Sequence, residues 1–145
     1  MARQILELDQ IRIDGSASTK LEAIREAHEI LERAGAVSPA YLPAMIEREK
    51  SVSTYMGNLL AIPHGTNESK EAILASALSF VRYDTPIDWD GNPVRFVVGI
   101  AGKGTEHLDI LGKVAIVFSD EDEVQALEQA TSAEEILDIL GEVNA

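Results

Sequence analysis

The chain has no cysteine among its 145 residues, so a disulfide framework, a thiolate metal site and a cysteine nucleophile are all excluded. That composition is compatible with a reducing cytosol, and a cytoplasmic location is the expectation. Basic charge is scarce as well: 12 Lys and Arg stand against 25 Asp and Glu, a formal charge of −13. A field of that sign repels phosphate backbones and anionic headgroups, so nucleic acid is not an expected ligand. A basic protein surface is the natural complement, because opposite charge speeds encounter. Long apolar runs are missing too. The start, Met1-Ala2-Arg3-Gln4-Ile5-Leu6-Glu7-Leu8, has no uninterrupted apolar segment of the signal-peptide kind. Nothing elsewhere approaches the ~20 apolar residues of a membrane span, so no direct membrane insertion is expected. Absent, finally, are H-E-x-x-H, H-x-H, G-x-S-x-G and the glycine-rich Walker loop, which leaves a zinc site, a serine hydrolase and nucleotide binding without support. No cofactor is called for.

What is present, a hydrophobic fraction of 46%, suits one domain over residues 1–145; a chain this long buries roughly 68–70% of its unfolded surface. Residues 5–8 and 11–14 read as extended, followed by a Gly15-Ser16-Ala17-Ser18 loop. Thr19 and Glu22 have capping-box spacing, and Leu21, Ile24, Ala27 and Leu31 recur at helical period until Gly35. Ser38-Pro39 offers an N-cap and first-turn proline for a second helix to about Lys50, inside which Pro43 is expected to forfeit a backbone bond. Residues 59–62 read as a strand and residues 68–71 as a helical turn. The 72–83 run mixes helix and strand signals and is taken as strand from about Ala75. Asp90-Gly91-Asn92-Pro93 then turns a hairpin into the strand 94–100. That strand is too apolar for an open face, so helices are expected on both sides of the sheet. Thr105 is placed as the cap of a helix whose apolar side carries Leu108, Leu111, Ala115 and Phe118. Ser119-Asp120 opens a fourth helix through Leu127, and Ser132 caps a last one through Leu140. The expected class is α/β, several helices against a small central sheet.

The chemistry concentrates on histidine. His64 lies in Leu59-Leu60-Ala61-Ile62-Pro63-His64-Gly65-Thr66, between a residue that fixes the backbone and one that admits a close approach. Its imidazole is a nucleophile near neutral pH. His107 follows Gly102-Lys103-Gly104 in a first helical turn, where free N–H groups and the positive dipole end collect anions and favour a neutral ring. Arg48 closes the second helix. It is either a guanidinium for phosphoryl oxygens or a cation satisfying helix carbonyls. His28, at the edge of the first helix's apolar stripe, reads as a surface or boundary residue. Two histidines lack a third metal ligand. Together the residues fit phosphoryl transfer through His64, with Arg48, a neutral His107 and backbone N–H groups at Gly65 and Thr66 stabilising charge on the equatorial oxygens.

Arg48-Glu49-Lys50, Ser53-Thr54-Tyr55-Met56-Gly57-Asn58, Ala61-Ile62-Pro63-His64-Gly65-Thr66 and the run from Val98 through Gly102-Lys103-Gly104-Thr105-Glu106-His107-Leu108 carry a resemblance over nearly the whole chain. They resemble the mannitol branch of the enzyme IIA components of the phosphoenolpyruvate-dependent sugar phosphotransferase system. The resemblance implies a three-layer α/β/α sandwich with a small mixed sheet. It further implies a phosphotransferase component in which His64 takes a phosphoryl group, through Nε2, from the phosphocarrier HPr and passes it to a cysteine of the enzyme IIB domain of the mannitol transporter. His107 and Arg48 take supporting roles. Starting at Met1 without transporter segments, the chain is expected to be a free-standing subunit. The alternative within the same family is a nitrogen- or fructose-type regulatory protein whose phosphorylation state controls binding to targets.

Overall fold

The computed structural model describes residues 5–144. Met1-Ala2-Arg3-Gln4 and Ala145, which the expectations for the N-terminal segment and for the 1–145 domain include, lie outside the described residues. A five-stranded sheet holds β1 (Ile11–Arg12), β4 (Ala77–Trp89), β5 (Asn92–Ala101), β3 (Leu60–Ala61) and β2 (Tyr55–Gly57) in that spatial order. β1 runs parallel to β4, β4 antiparallel to β5, β5 parallel to β3, and β3 antiparallel to β2, so the sheet is mixed. Helices α1 (Lys20–Arg33) and α2 (Tyr41–Ser51) cover one face, while α3 (Glu106–Phe118), α4 (Glu121–Gln129) and α5 (Ala133–Ile139) cover the other. The expected three-layer arrangement is thereby present.

Strand alternation explains the two cores. Phe80, Phe96 and Val98 point into the α3–α5 layer, and their neighbours Val81 and Val97 into the α1–α2 layer. The central strands must therefore be apolar on both faces, which the composition of residues 94–100 anticipated. The β4–β5 hairpin turns on Asp90 and Gly91, both at positive φ (56° and 94°). This is the geometry for which Asp-Gly is suited.

Several local expectations are corrected. Residues 5 and 6 bend, Glu7 is extended, and Leu8–Gln10 form a 3-10 turn; the buried Gln10 amide donates to the Ile5 carbonyl (2.9 Å) and the Leu78 carbonyl (2.6 Å), which folds the segment back on itself. The β2–β3 hairpin went unread, because its turn uses positive φ at Asn58 (50°) and Leu59 (68°) as well as Gly57 (88°). Its β3 starts at Leu60 rather than Leu59. Helix α2 begins at Tyr41, after a turn in which the Tyr41 N–H donates to the Ser38 carbonyl (3.0 Å). Pro43 is then the third helical residue, where an N–H has no intrahelical acceptor, so the proline costs no bond. On α3 the buried residues are Ile110, Val114, Val117 and Phe118, whereas Leu108 is 71% exposed. Thr105 stands at the N-cap position without a side-chain bond. Of the Ser119-Asp120 pair expected to open α4, Asp120 is the cap and accepts from the Asp122 N–H. Thr19 and Ser132 cap α1 and α5 as read, accepting from the N–H groups of Glu22 and Glu135.

Candidate functional site

β3 stops after two residues, yet its register against β5 continues: His64 bridges Ile100 in the sense in which Ala61 pairs with Val97. The Pro63 carbonyl accepts from the Ile100 N–H (3.0 Å), so the corner is carried by the sheet rather than by a free loop. Tyr41 fastens it from the helical layer. Its buried hydroxyl donates to the Ile100 carbonyl (2.8 Å) and accepts from the Gly65 N–H (2.9 Å). A Cβ at residue 65 would lie 2.5 Å from Tyr41 Cε1 and 2.6 Å from Ser69 Oγ, which is why glycine stands there.

The His64 ring is oriented by its own chain. Nδ1 lies 2.8 Å from the Ile62 carbonyl; a carbonyl only accepts, so Nδ1 bears the proton and Nε2 keeps its lone pair. Burial pushes the imidazole below the ordinary histidine value. The Ile62 bond opposes that, the charges of His107 and Arg48 push it further down, and Glu49 pulls it back. His107 is held low first by burial and then by Arg48. Two neutral rings therefore face each other at neutral pH, centroids 5.1 Å apart and planes at 53°. The loop before α3 sets this spacing, since a Cβ at Gly102 would overlap the His107 Cα.

An open cleft of about 330 Å³ brings together Arg48, His64, Thr66, Lys70, His107 and Leu108. Arg48 sits where both readings left open above would place it, at the end of α2 and on the cleft. Nη1 donates to the Val52 carbonyl just past α2 (2.7 Å), while the guanidinium lines the cleft and its charge reaches both imidazoles. A chain of charge −13 thus concentrates two cations, Arg48 and Lys70, at one concave spot. The Gly65 N–H, expected to face a phosphate, donates here to the Tyr41 hydroxyl; Thr66 lines the cleft wall. His28 is buried rather than at the surface, with Nε2 3.3 Å from the Ser38 carbonyl. Tyr41 and Lys70 were missed, and for Lys70 the signal was available in its place six residues after His64. Among the described residues no group of three or more His, Cys, Asp or Glu is placed to hold a metal ion, and no helix is long and apolar enough to cross a membrane.

Comparison with known proteins agrees with this geometry. The mannitol-specific phosphotransferase enzyme IIA component of Halalkalibacterium halodurans is 52% identical over 144 residues, 99% of either chain. The Escherichia coli enzyme IIA for mannitol, solved in complex with phosphorylated enzyme IIB, matches with a TM-score of 0.89 at 34% identity over 94% of this chain and 97% of that one. The crystal structure of the Escherichia coli IIA mannitol protein matches with a TM-score of 0.86 at 36% identity, over 93% and 98%. The family model of the phosphoenolpyruvate-dependent sugar phosphotransferase system, EIIA 2, matches residues 4–143, and the chain belongs to that family.

Proposed function

We propose that this chain, acting as one domain in the cytoplasm, is the phosphoryl carrier of a mannitol phosphotransferase system, taking its phosphoryl group from phospho-HPr on His64 and passing it to the enzyme IIB domain of the transporter. The observation that carries the reading is the His64 Nδ1–H bond to the Ile62 carbonyl beside the cleft. It leaves Nε2 as the nucleophile. In the step proposed, the Nε2 lone pair forms a bond to phosphorus as the donor's bond breaks and its electron pair departs with the donor. The ring gains positive charge, which the Nδ1–H···O=C bond stabilises, since a charged donor bonds more strongly. Arg48 and a neutral His107 donate toward the equatorial oxygens, positioning and charge stabilisation being most of what phosphoryl transfer asks of a protein. Thr66 lines the same wall. The exposed Leu108 at the cleft gives a docking protein an apolar contact beside the reacting ring. Handing the group to a cysteine of enzyme IIB reverses the sequence: a sulfur–phosphorus bond forms, the Nε2–phosphorus bond breaks, and the neutral ring returns.

Incubation with phosphoenolpyruvate, enzyme I and HPr is expected to add one acid-labile phosphoryl group per chain, lost in His64→Ala; a full signal in that variant removes His64 from the role. In His107→Ala the group still reaches His64 while transfer to enzyme IIB slows, and unchanged transfer kinetics would reject the supporting role. Restored mannitol uptake in cells lacking their own subunit tests the sugar.

A further inference from the structure

Glu49 follows Arg48 on α2 but lies on the sheet side of the helix, 5% exposed. Its carboxylate accepts from the Thr54 N–H (2.8 Å), the Thr54 hydroxyl (2.5 Å) and the Trp89 Nε1–H (3.1 Å), with Lys20 Nζ at 3.6 Å. A buried carboxylate is costly unless it is satisfied in this way. The network does not stop at Thr54. The Thr54 carbonyl accepts from the Ile62 N–H (3.1 Å), and the Ile62 carbonyl accepts from His64 Nδ1–H (2.8 Å). The turn that Glu49 closes onto Thr54 also contains Val52, whose carbonyl accepts from Arg48 Nη1 (2.7 Å). One carboxylate thus fixes the segment holding both the acceptor that selects the tautomer of the nucleophile and the acceptor that aims the guanidinium.

We infer that Glu49 is a positioning residue for phosphoryl transfer, setting the orientation and tautomer of His64 through Thr54 and Ile62 while keeping Arg48 in register with it. The inference rests on His64 being the phosphoryl acceptor. Glu49 lies outside the cleft walls, so its action is through others. It adds an electrostatic effect of one sign. Arg48 on α2 and His107 on α3 lower the proton affinity of His64 and Lys70 stands on the same cleft, whereas Glu49 raises it. Glu49 itself faces Lys20 of α1, which pairs in turn with Asp90 (2.7 Å).

The test uses the full chain with phospho-HPr as donor and compares wild type, Glu49→Gln and Thr54→Val. Imidazole nitrogen NMR is expected to show the Nδ1–H tautomer dominant in wild type, a smaller Nδ1–H share in Glu49→Gln, and a lower His64 titration midpoint there. kcat for acceptance is expected to fall about tenfold, the scale of a sub-ångström misplacement, with KM within about twofold because the docking face is untouched. Thr54→Val keeps the backbone amide and loses only the hydroxyl, so a smaller fall in kcat in the same direction is expected. A folded Glu49→Gln chain with wild-type tautomer balance, midpoint and kcat overturns the inference. If that variant does not fold, a Thr54→Val chain with wild-type kcat overturns it. Wild type that accepts no phosphoryl group on His64 instead refutes the function on which the inference rests, an outcome read before either variant.

Discussion

Replacing Tyr41 with phenylalanine removes one oxygen atom and leaves the ring that packs against Gly65, so it isolates the hydroxyl that ties α2 to β5 and to the histidine corner. That hydroxyl makes two hydrogen bonds, each contributing about 0.5–1.5 kcal/mol net, and a stranded buried partner costs about 1–3 kcal/mol. Gly65 is only half-buried, so water replaces part of its bond; Ile100 is fully buried, so its carbonyl gains no such relief. The expected loss is about 2 kcal/mol. With a urea slope of about 1–3 kcal/mol/M for a small protein, the midpoint followed by far-ultraviolet circular dichroism falls by roughly 1 M at unchanged slope. Phosphoryl acceptance is expected to fall several-fold as well, since Gly65 directly follows His64, the proposed nucleophile. A midpoint within about 0.2 M of wild type would refute the reasoning. It would mean that the sheet alone holds the corner and that the phenol is incidental.

Gly102→Ala forces a Cβ onto the His107 backbone. Onward transfer to enzyme IIB is expected to fall while acceptance on His64 persists, and equal loss of both steps would contradict the placement. Because burial lowers both His64 and His107, the unfolded chain binds protons more readily than the folded one. The stability they contribute is whole above a pH of about 6.5, the free-imidazole value, and is lost as pH falls from there toward the lowered folded values. Urea titrations below pH 7 are expected to show this decline, and a His64→Ala, His107→Ala double variant to flatten it; an equal slope in both chains would argue against the shift. Arg82 is buried in β4 and its Nη1 donates to the carbonyls of Leu127, Glu128 and Ala130 at the end of α4. Charged hydrogen bonds contribute about 1.5–3 kcal/mol each, so Arg82→Met is expected to cost about 3 kcal/mol in urea unfolding, and a loss under about 1 kcal/mol would show that the cap is dispensable.

What the sequence made legible was local. Proline and glycine around His64, the glycines before His107, the Asp90-Gly91 turn and the caps at Thr19 and Ser132 each act within a few residues, and all are found where they were read. What it hid was long-range. Tyr41 reaches Gly65 across 24 residues and Ile100 across 59, and no periodicity marks a phenol for that task. His28 shares a helix edge with charged residues, and the Ser38 carbonyl that meets its ring comes from beyond the end of that helix. On helix α3 Phe118 is buried and Leu111 packs on the core as read, but Leu108 was placed on that side because it is as hydrophobic as Ile110; Leu108 faces solvent beside the cleft and Ile110 the core. Exposed leucine is the exception to the burial pattern that the periodicity rule assumes, and it falls on the wall of the cleft that holds His64 and His107.

The single tryptophan has a use of its own. Trp89 is fully enclosed, and its indole N–H ends on Glu49, the carboxylate that grips the Thr54 segment. Lys20 lies over the ring, 5.6 Å from its centroid. The molecule thereby carries a built-in fluorophore on the α1–α2 side, with no competing indole. Its emission will sit at short wavelength in the native state, move to the red when that layer opens to solvent, and change in intensity when the grip on the segment leading to His64 is loosened, all without a dye or label.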